Sequence, residues 1–219
     1  SINGALVGAG GFFGPILPNL VMPVARLYMR KMVGHLVLDA ESDALNKILD
    51  KAAESGEQLN LNLLGEAVLG EEEAKSRAER TLKLIRNPRV TYVSVKASSM
   101  VAQLNHWDID GSVERLKERL RPLYQAAANR TDKVFINMDM EEYHDLHLTI
   151  RLFKELLSEP EFLTLDAGIV LQAYLPDTFD ALKDIADFAK ERVAKGGGKV
   201  KVRIVKGANL SMDCLLYTS

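Results

Sequence analysis

From residue 42 onward the apolar positions alternate between two periods. Helical spacing comes first, over Ser42 to Ser55: Leu45, Ile48, Leu49 and Ala52 share a face, Ser42 can cap the start and Gly56 can end it. A weaker helical stretch precedes it, from Val24 to about His35. Leu59 to Leu64 is then a short apolar run of strand type. It is followed by a helical segment, Glu71 to Arg86, with Ala74, Ala78, Leu82 and Ile85 on one stripe and acids in the first turn. The same rhythm continues through four more apolar runs: Val90 to Val95, Lys133 to Met138, Gly168 to Tyr174 and Lys199 to Val205. Between them lie helical stripes formed by Val113, Leu116, Leu120 and Leu123, by Leu146, Ile150, Phe153 and Leu157, and by Leu182, Ile185, Ala189 and Val193.

Strand starts at 59, 90, 133, 168 and 199 fall a little over roughly thirty residues apart, the spacing of βα units in a parallel sheet. Two architectures fit that spacing, a doubly wound open sheet and a (β/α)8 barrel. The polar residues at the strand ends favour the barrel. Glu66, Lys96, Asp139, Gln172 and Lys206 stand at or just beyond the ends of five successive strands. A barrel gathers all such ends around one site, whereas an open sheet spreads them along an edge. The expected fold is therefore α/β, a partial TIM-like barrel of about five βα units preceded by N-terminal helices. Its expected organisation is a loop and helical segment over 1–57, the barrel over 58–213 and an unassigned tail over 214–219. Five strands of eight leave an edge for water or another chain to cover.

Composition narrows the function. The chain has 219 residues, 47% of them hydrophobic and 26% charged, enough for one sizeable core. A net charge of −2 leaves no basic excess to bind a polyanion, so nucleic acid is not an expected partner. Cys214 is the single cysteine and forms no internal disulfide, which fits a reducing cytoplasm. The apolar stretch from Ala5 to Val24 is broken by four glycines and three prolines, so it reads as a packed loop rather than a spanning helix or a signal peptide.

The chemistry concentrates at VRIVKGANL, residues 202–210. A glycine and a lysine at a strand's end suit an anionic ligand, and Arg203 inside an apolar run needs a partner. Lys96 at a strand end could be a solvated charge, but followed by the small residues Ala97, Ser98 and Ser99 it has room beside it for a ligand. Asp139 and Glu141 could share a strand face and hold a divalent cation, but Lys96 and Lys206 at neighbouring strand ends disfavour one. His144 and His147, three apart, could ligate zinc, yet no third ligand is in view and a solvated helix face is the simpler reading. His35, His106 and Trp107 read as structural or surface residues, and Tyr174 as a packing residue.

Five segments, NLLGEAVLGEEEA around Glu66, SVKASSM around Lys96, FINMDMEEY around Asp139, GIVLQAYLPD around Gln172 and VRIVKGANL around Arg203, together resemble the proline dehydrogenase domain of bifunctional proline utilization A (PutA) flavoenzymes. The resemblance implies FAD as cofactor, L-proline as substrate, 1-pyrroline-5-carboxylate as product and a quinone as electron acceptor. It implies that Asp139, Gln172, Arg203, Lys206 and Gly207 touch the flavin, and that Lys96, Asp139 and Ala208 meet the substrate. Lys96, Asp139 and Arg203 become the catalytic group, with no metal. Glu66 corresponds to an acid that closes the site by pairing with an arginine from the last barrel helix. Two further arginines for the proline carboxylate are expected after an eighth strand, beyond Ser219. The same resemblance implies a cytoplasmic protein, with room for peripheral association with the inner face of the membrane and for a C-terminal aldehyde dehydrogenase domain. The chain departs from it in two places. Asn209 and Leu210 stand where many members have an aromatic pair, and CLLYTS at 214–219 follows no family pattern. Two other readings stay open: an inert half-barrel or interaction module, and a different flavin barrel of the methylenetetrahydrofolate reductase kind.

Overall fold

A computed structural model describes residues 22–28, 43–63, 68 and 70–207. The chain divides into two compact units, residues 1–48 and 49–219. In the first, residues 22–28 form a helix, α1, and the remainder of the expected 24–35 helix lies outside the described residues. Helix α2 is Asp43–Glu54. Its end follows from Gly56, whose φ of 73° lets Glu57 N–H reach back to the Ala52 carbonyl at 2.8 Å, closing the last turn as only a left-handed residue allows.

The larger unit carries β1 Leu61–Asn62, α3 Glu71–Arg86, β2 Tyr92–Lys96, α4 Ile109–Ala128, β3 Phe135–Asp139, α5 Leu146–Leu157, β4 Ala167–Gln172, α6 Thr178–Ala194 and β5 Val200–Val205. All strand pairs are parallel, and their order across the sheet is β1-β2-β3-β4-β5. An unbroken sequential order is that of a barrel wall; a doubly wound sheet reverses direction partway. The wall is also rolled. Arg203 on β5 reaches Asp139 on β3, and the Lys201 ammonium lies 5.3 Å from the Tyr92 ring centroid on β2. In a flat sheet β5 and β2 stand about 14 Å apart at ~4.8 Å per strand, so the contact between Lys201 and Tyr92 calls for a concave inner face.

Period two then sorts each strand into two faces. Val93, Val95, Ile136, Met138, Ile169 and Leu171 point outward and are buried beneath the helices. Leu116, Leu120 and Leu123 of α4 and Phe153, Leu156 and Leu157 of α5 complete that layer, each 1% exposed or less and each contributing about 2 kcal/mol by burial.

Several expectations need correction. Strand limits shift by at most two residues: β1 is only two residues long, β2 and β3 start two residues later than expected, and β4 ends at Gln172, before Tyr174. On α3 the buried stripe passes through Arg77, Thr81 and Leu84, leaving Leu82 half-buried. On α6 it passes through Ala181, Ile185 and Arg192, so Val193 is 53% exposed. Both misreadings follow apolar residues when the 3.6-residue period places a long polar side chain inward. The last apolar run forms a less buried strand than β2, β3 and β4: Ile204 is 49% exposed, and among the described residues β5 pairs only with β4.

Two arginines hold the turns at the end of the sheet where strands begin. Arg130 donates to the carbonyls of Ile85, Asn87, Pro88 and Val90, which fixes the turn entering β2. Arg192, 3% exposed, donates to the carbonyls of Leu157, Phe162, Leu165 and Gly198, around the approaches to β4 and β5. Buried carbonyls need donors, and one guanidinium with five N–H groups can serve several at once. None of the described helices is long and apolar enough to cross a membrane.

Candidate active site

The concave face is polar where the convex face is apolar, because every second residue of each strand projects inward. Asn60 and Asn62 near β1, Ser94 and Lys96 on β2, Asn137 and Asp139 on β3, Gly168, Val170 and Gln172 on β4, and Lys201 and Arg203 on β5 form this inner face in register. Its lower layer is aromatic. Tyr92 and Phe135 meet edge to face at 4.8 Å, with the Lys201 ammonium over both rings. Gly168 is required just above: a Cβ there would lie 2.6 Å from Asn137 Oδ1 and 2.9 Å from the Phe135 ring.

Asp139 is the hub of the upper layer. Its Oδ1 accepts from Arg203 Nη2 at 2.8 Å and from Asn137 Nδ2 at 2.6 Å, and Asn62 Nδ2 lies 3.5 Å from its Oδ2. Ser94 Oγ accepts from Asn60 at 2.9 Å and from Asn137 at 3.3 Å, which leaves its own hydrogen for Asp139. Arg203 thus has the partner its position in an apolar strand required. Burial nevertheless pushes the Asp139 carboxyl above the usual carboxylate range, against the opposing pull of Arg203, Ser94 and Lys96.

Lys96 ends β2 and is only 16% exposed, and its ammonium pairs with Glu141 Oε1 at 2.5 Å. Gln172 ends β4 at 2% exposure and donates through Nε2 to the Glu141 carbonyl at 2.8 Å. That bond fixes which end of the amide is which, and Oε1 is buried without a partner among the described residues. Arg203 Nε is likewise a buried donor without a partner among the described residues. Lys206 follows β5 and is exposed. Gly207, with φ of 99°, lies against Tyr174 so closely that a Cβ would fall 1.7 Å from the ring's Cε1, and this contact accounts for Tyr174 as a packing residue.

Of the expected site residues, Lys96, Asp139 and Arg203 share one layer of the inner face, Gln172 stands two residues further along β4, and Lys206 and Gly207 continue beyond β5. Glu66 and Ala208 lie outside the described residues, as do Asn209, Leu210, Cys214 and His35. His144 and His147 do not share a helix face, because His144 sits in the 3-10 turn Tyr143–Asp145 that precedes α5. His144 pairs with Glu142 at 2.6 Å and meets His106 edge-on, while His106 bonds Asp145 at 2.7 Å. Trp107 is 99% exposed. Asp139 and Glu141 are engaged by Arg203 and Lys96, and among the described residues no group of three or more His, Cys, Asp or Glu could hold a metal.

The sequence reading overlooked Asn62, Ser94, Asn137 and Lys201, and weighed Glu141 only as a metal ligand. A signal for the first four was present: N-x-N at 60–62 and S-x-K, N-x-D and K-x-R inside the later strands are polar pairs at period two. A groove of about 860 Å³ lies elsewhere, between α3, α4 and the segment after β2, with Glu71, Lys75, Arg115 and Arg119 along it. It belongs to the helical layer and includes none of the strand-end residues.

Comparison with known proteins agrees with this arrangement. The family model described as proline dehydrogenase matches residues 44–217. The bifunctional protein PutA of Klebsiella aerogenes and that of Escherichia coli strain K12 are each 30% identical over 218 residues, covering 93% of this chain. The chain spans 15% of the length of each of these relatives. Among solved structures, PutA from Corynebacterium freiburgense aligns with a TM-score of 0.81 and 66% identity, over 88% of this chain and 20% of that one. PutA from Bdellovibrio bacteriovorus inactivated by N-propargylglycine aligns with a TM-score of 0.69 and 32% identity, over 78% of this chain and 20% of that one. Sequential parallel strands, a polar concave wall and strand-end residues in the expected order thus coincide with a match over most of the chain, and the chain belongs to the proline dehydrogenase family.

Proposed function

We propose that this chain forms part of an FAD-dependent enzyme that oxidises L-proline to 1-pyrroline-5-carboxylate and passes the electrons to a quinone. The observation that carries the reading is the pair of orphaned polar atoms on the inner wall. Gln172 Oε1 is a buried acceptor and Arg203 Nε a buried donor, each without a partner among the described residues; they stand two residues apart in register on the paired strands β4 and β5, and β5 runs on into a lysine and a glycine with positive φ. An isoalloxazine ring has both an N–H donor and carbonyl acceptors along one edge, and a pyrophosphate suits Lys206 and Gly207, so the residues present fit the group. When bound, FAD would supply the two-electron acceptor for the hydrogen leaving the ring carbon next to the proline nitrogen.

The chain's own residues have separable tasks in this reading. Arg203 holds a fixed positive charge near where negative charge develops, and Asp139 keeps it aimed. Lys96 binds the proline carboxylate, and its own burial, at 16% exposure, strengthens that interaction. Glu66 and Ala208 keep the roles of gate acid and substrate contact. A second enzymatic domain of aldehyde dehydrogenase type in the same polypeptide is part of the proposal, as is cytoplasmic location.

Anaerobic titration tests it. The full-length protein carrying this chain is expected to show flavin absorbance that L-proline bleaches and a quinone analogue restores. Flavin absorbance unchanged by proline would overturn the substrate, and a purified protein without flavin that takes up none when supplied would overturn the cofactor.

A further inference from the structure

Lys96 carries its charge on a flexible four-carbon stem, and such a group binds a carboxylate well only if something fixes where the ammonium sits. The fixing group is on the next strand's exit. Glu141, two residues past Asp139, places Oε1 2.5 Å from Lys96 Nζ, and the backbone of the same residue is held by Gln172 Nε2 at 2.8 Å from β4. Gln172 is almost fully buried and its own carbonyl accepts from Thr178 Oγ1 at 2.5 Å, so the brace is anchored in the body of the wall. The ends of β2, β3 and β4 are thereby tied through one acid.

We propose that Glu141 is a positioning residue: it commits one of the three Lys96 N–H donors and so presents the other two to the substrate carboxylate. The proposal rests on Lys96 as the carboxylate-binding cation. An opposite effect is conceivable, since an acid beside the cation repels an incoming carboxylate. Two features decide the sign. Glu141 is 48% exposed, so water screens its charge at longer range, whereas the geometric constraint on Lys96 is not screened. An ammonium can also hold two carboxylates at once, so binding substrate does not require Glu141 to leave.

The test uses the full-length protein and two probes measured by isothermal titration calorimetry, cyclopentanecarboxylate and its uncharged amide. Glu141→Ala is expected to weaken cyclopentanecarboxylate about tenfold and to raise KM for proline similarly, with kcat falling less than about threefold, while amide binding stays unchanged. Glu141→Gln, which keeps an acceptor, recovers part of the loss. In a Lys96→Ala background, Glu141→Ala has no further effect on carboxylate binding. Tighter or unchanged carboxylate binding in Glu141→Ala overturns the proposal, as does an equal loss for the amide. If instead Lys96→Ala leaves carboxylate binding intact, the assignment of Lys96 itself fails, a result distinct from failure of Glu141 alone.

Discussion

Asp139→Asn is expected to lower kcat/KM for proline oxidation by about 10² to 10³ while leaving the fold's thermal stability within about 1 kcal/mol of the parent. Arg203 and Asn137 both donate to Oδ1, so an amide that keeps those bonds places its NH2 where Oδ2 stood, facing the Asn62 amide donor, and it removes the negative charge that pairs with Arg203. Arg203 is half-exposed and can then swing to solvent, so the loss falls on alignment rather than on stability. The pH dependence has a definite sign. Burial raises the Asp139 carboxyl in the folded protein above its unfolded value, so the native state binds the proton at a higher pH than the unfolded chain does. Between the two values stability therefore falls as pH rises, and it is flat on either side of that window. Asp139→Asn abolishes that slope. It also removes any acid limb of the activity profile set by Asp139, which in the parent lies above the ordinary carboxylate range. Steady-state rates and thermal unfolding across pH check both statements. Activity loss matched by an equal collapse in stability would show that Asp139 is a structural hub only.

The largest effect on the fold itself is expected at Arg192. Arg192→Met keeps much of the side chain's volume but leaves the carbonyls of Leu157, Phe162, Leu165 and Gly198 without this donor at a site that is 3% exposed. Charged hydrogen bonds are worth about 1.5 to 3 kcal/mol each and are not additive, so a loss of about 3 to 5 kcal/mol follows, or roughly 10 °C in Tm for a unit of this size. Arg192→Lys is expected to recover little, because an ammonium cannot span four carbonyls arranged for a planar fork. Thermal unfolding of both variants decides the matter. A change below about 1 kcal/mol in Arg192→Met would mean that water replaces the guanidinium at no net loss.

Arg192 also marks a limit of sequence reading. On α6, hydrophobicity alone draws the stripe through Val193, which the structure exposes, because nothing in a one-dimensional pattern shows that four backbone carbonyls wait where Arg192 enters. Leu82 and Leu84 on α3 repeat the point: both are apolar, and only the direction of the neighbouring helix decides which is buried. Glu141 was legible as an acid two residues from Asp139, but its tie to Lys96 crosses from β3 to β2 and has no sequence signature.

The sequence by itself determined the alternation of strands and helices, the α/β class and the ring of strand-end residues, since these rest on local periodicity and on five motifs that each lie within one short segment. Only the tertiary structure decided that the strands stand in sequential order on a concave wall, and that Asp139 takes Arg203 while Lys96 takes Glu141. The physical reason is reach. Periodicity reports which way a side chain points from its own backbone, whereas a pairing depends on where another strand, 45 or 64 residues away in sequence, has been carried by the roll of the sheet.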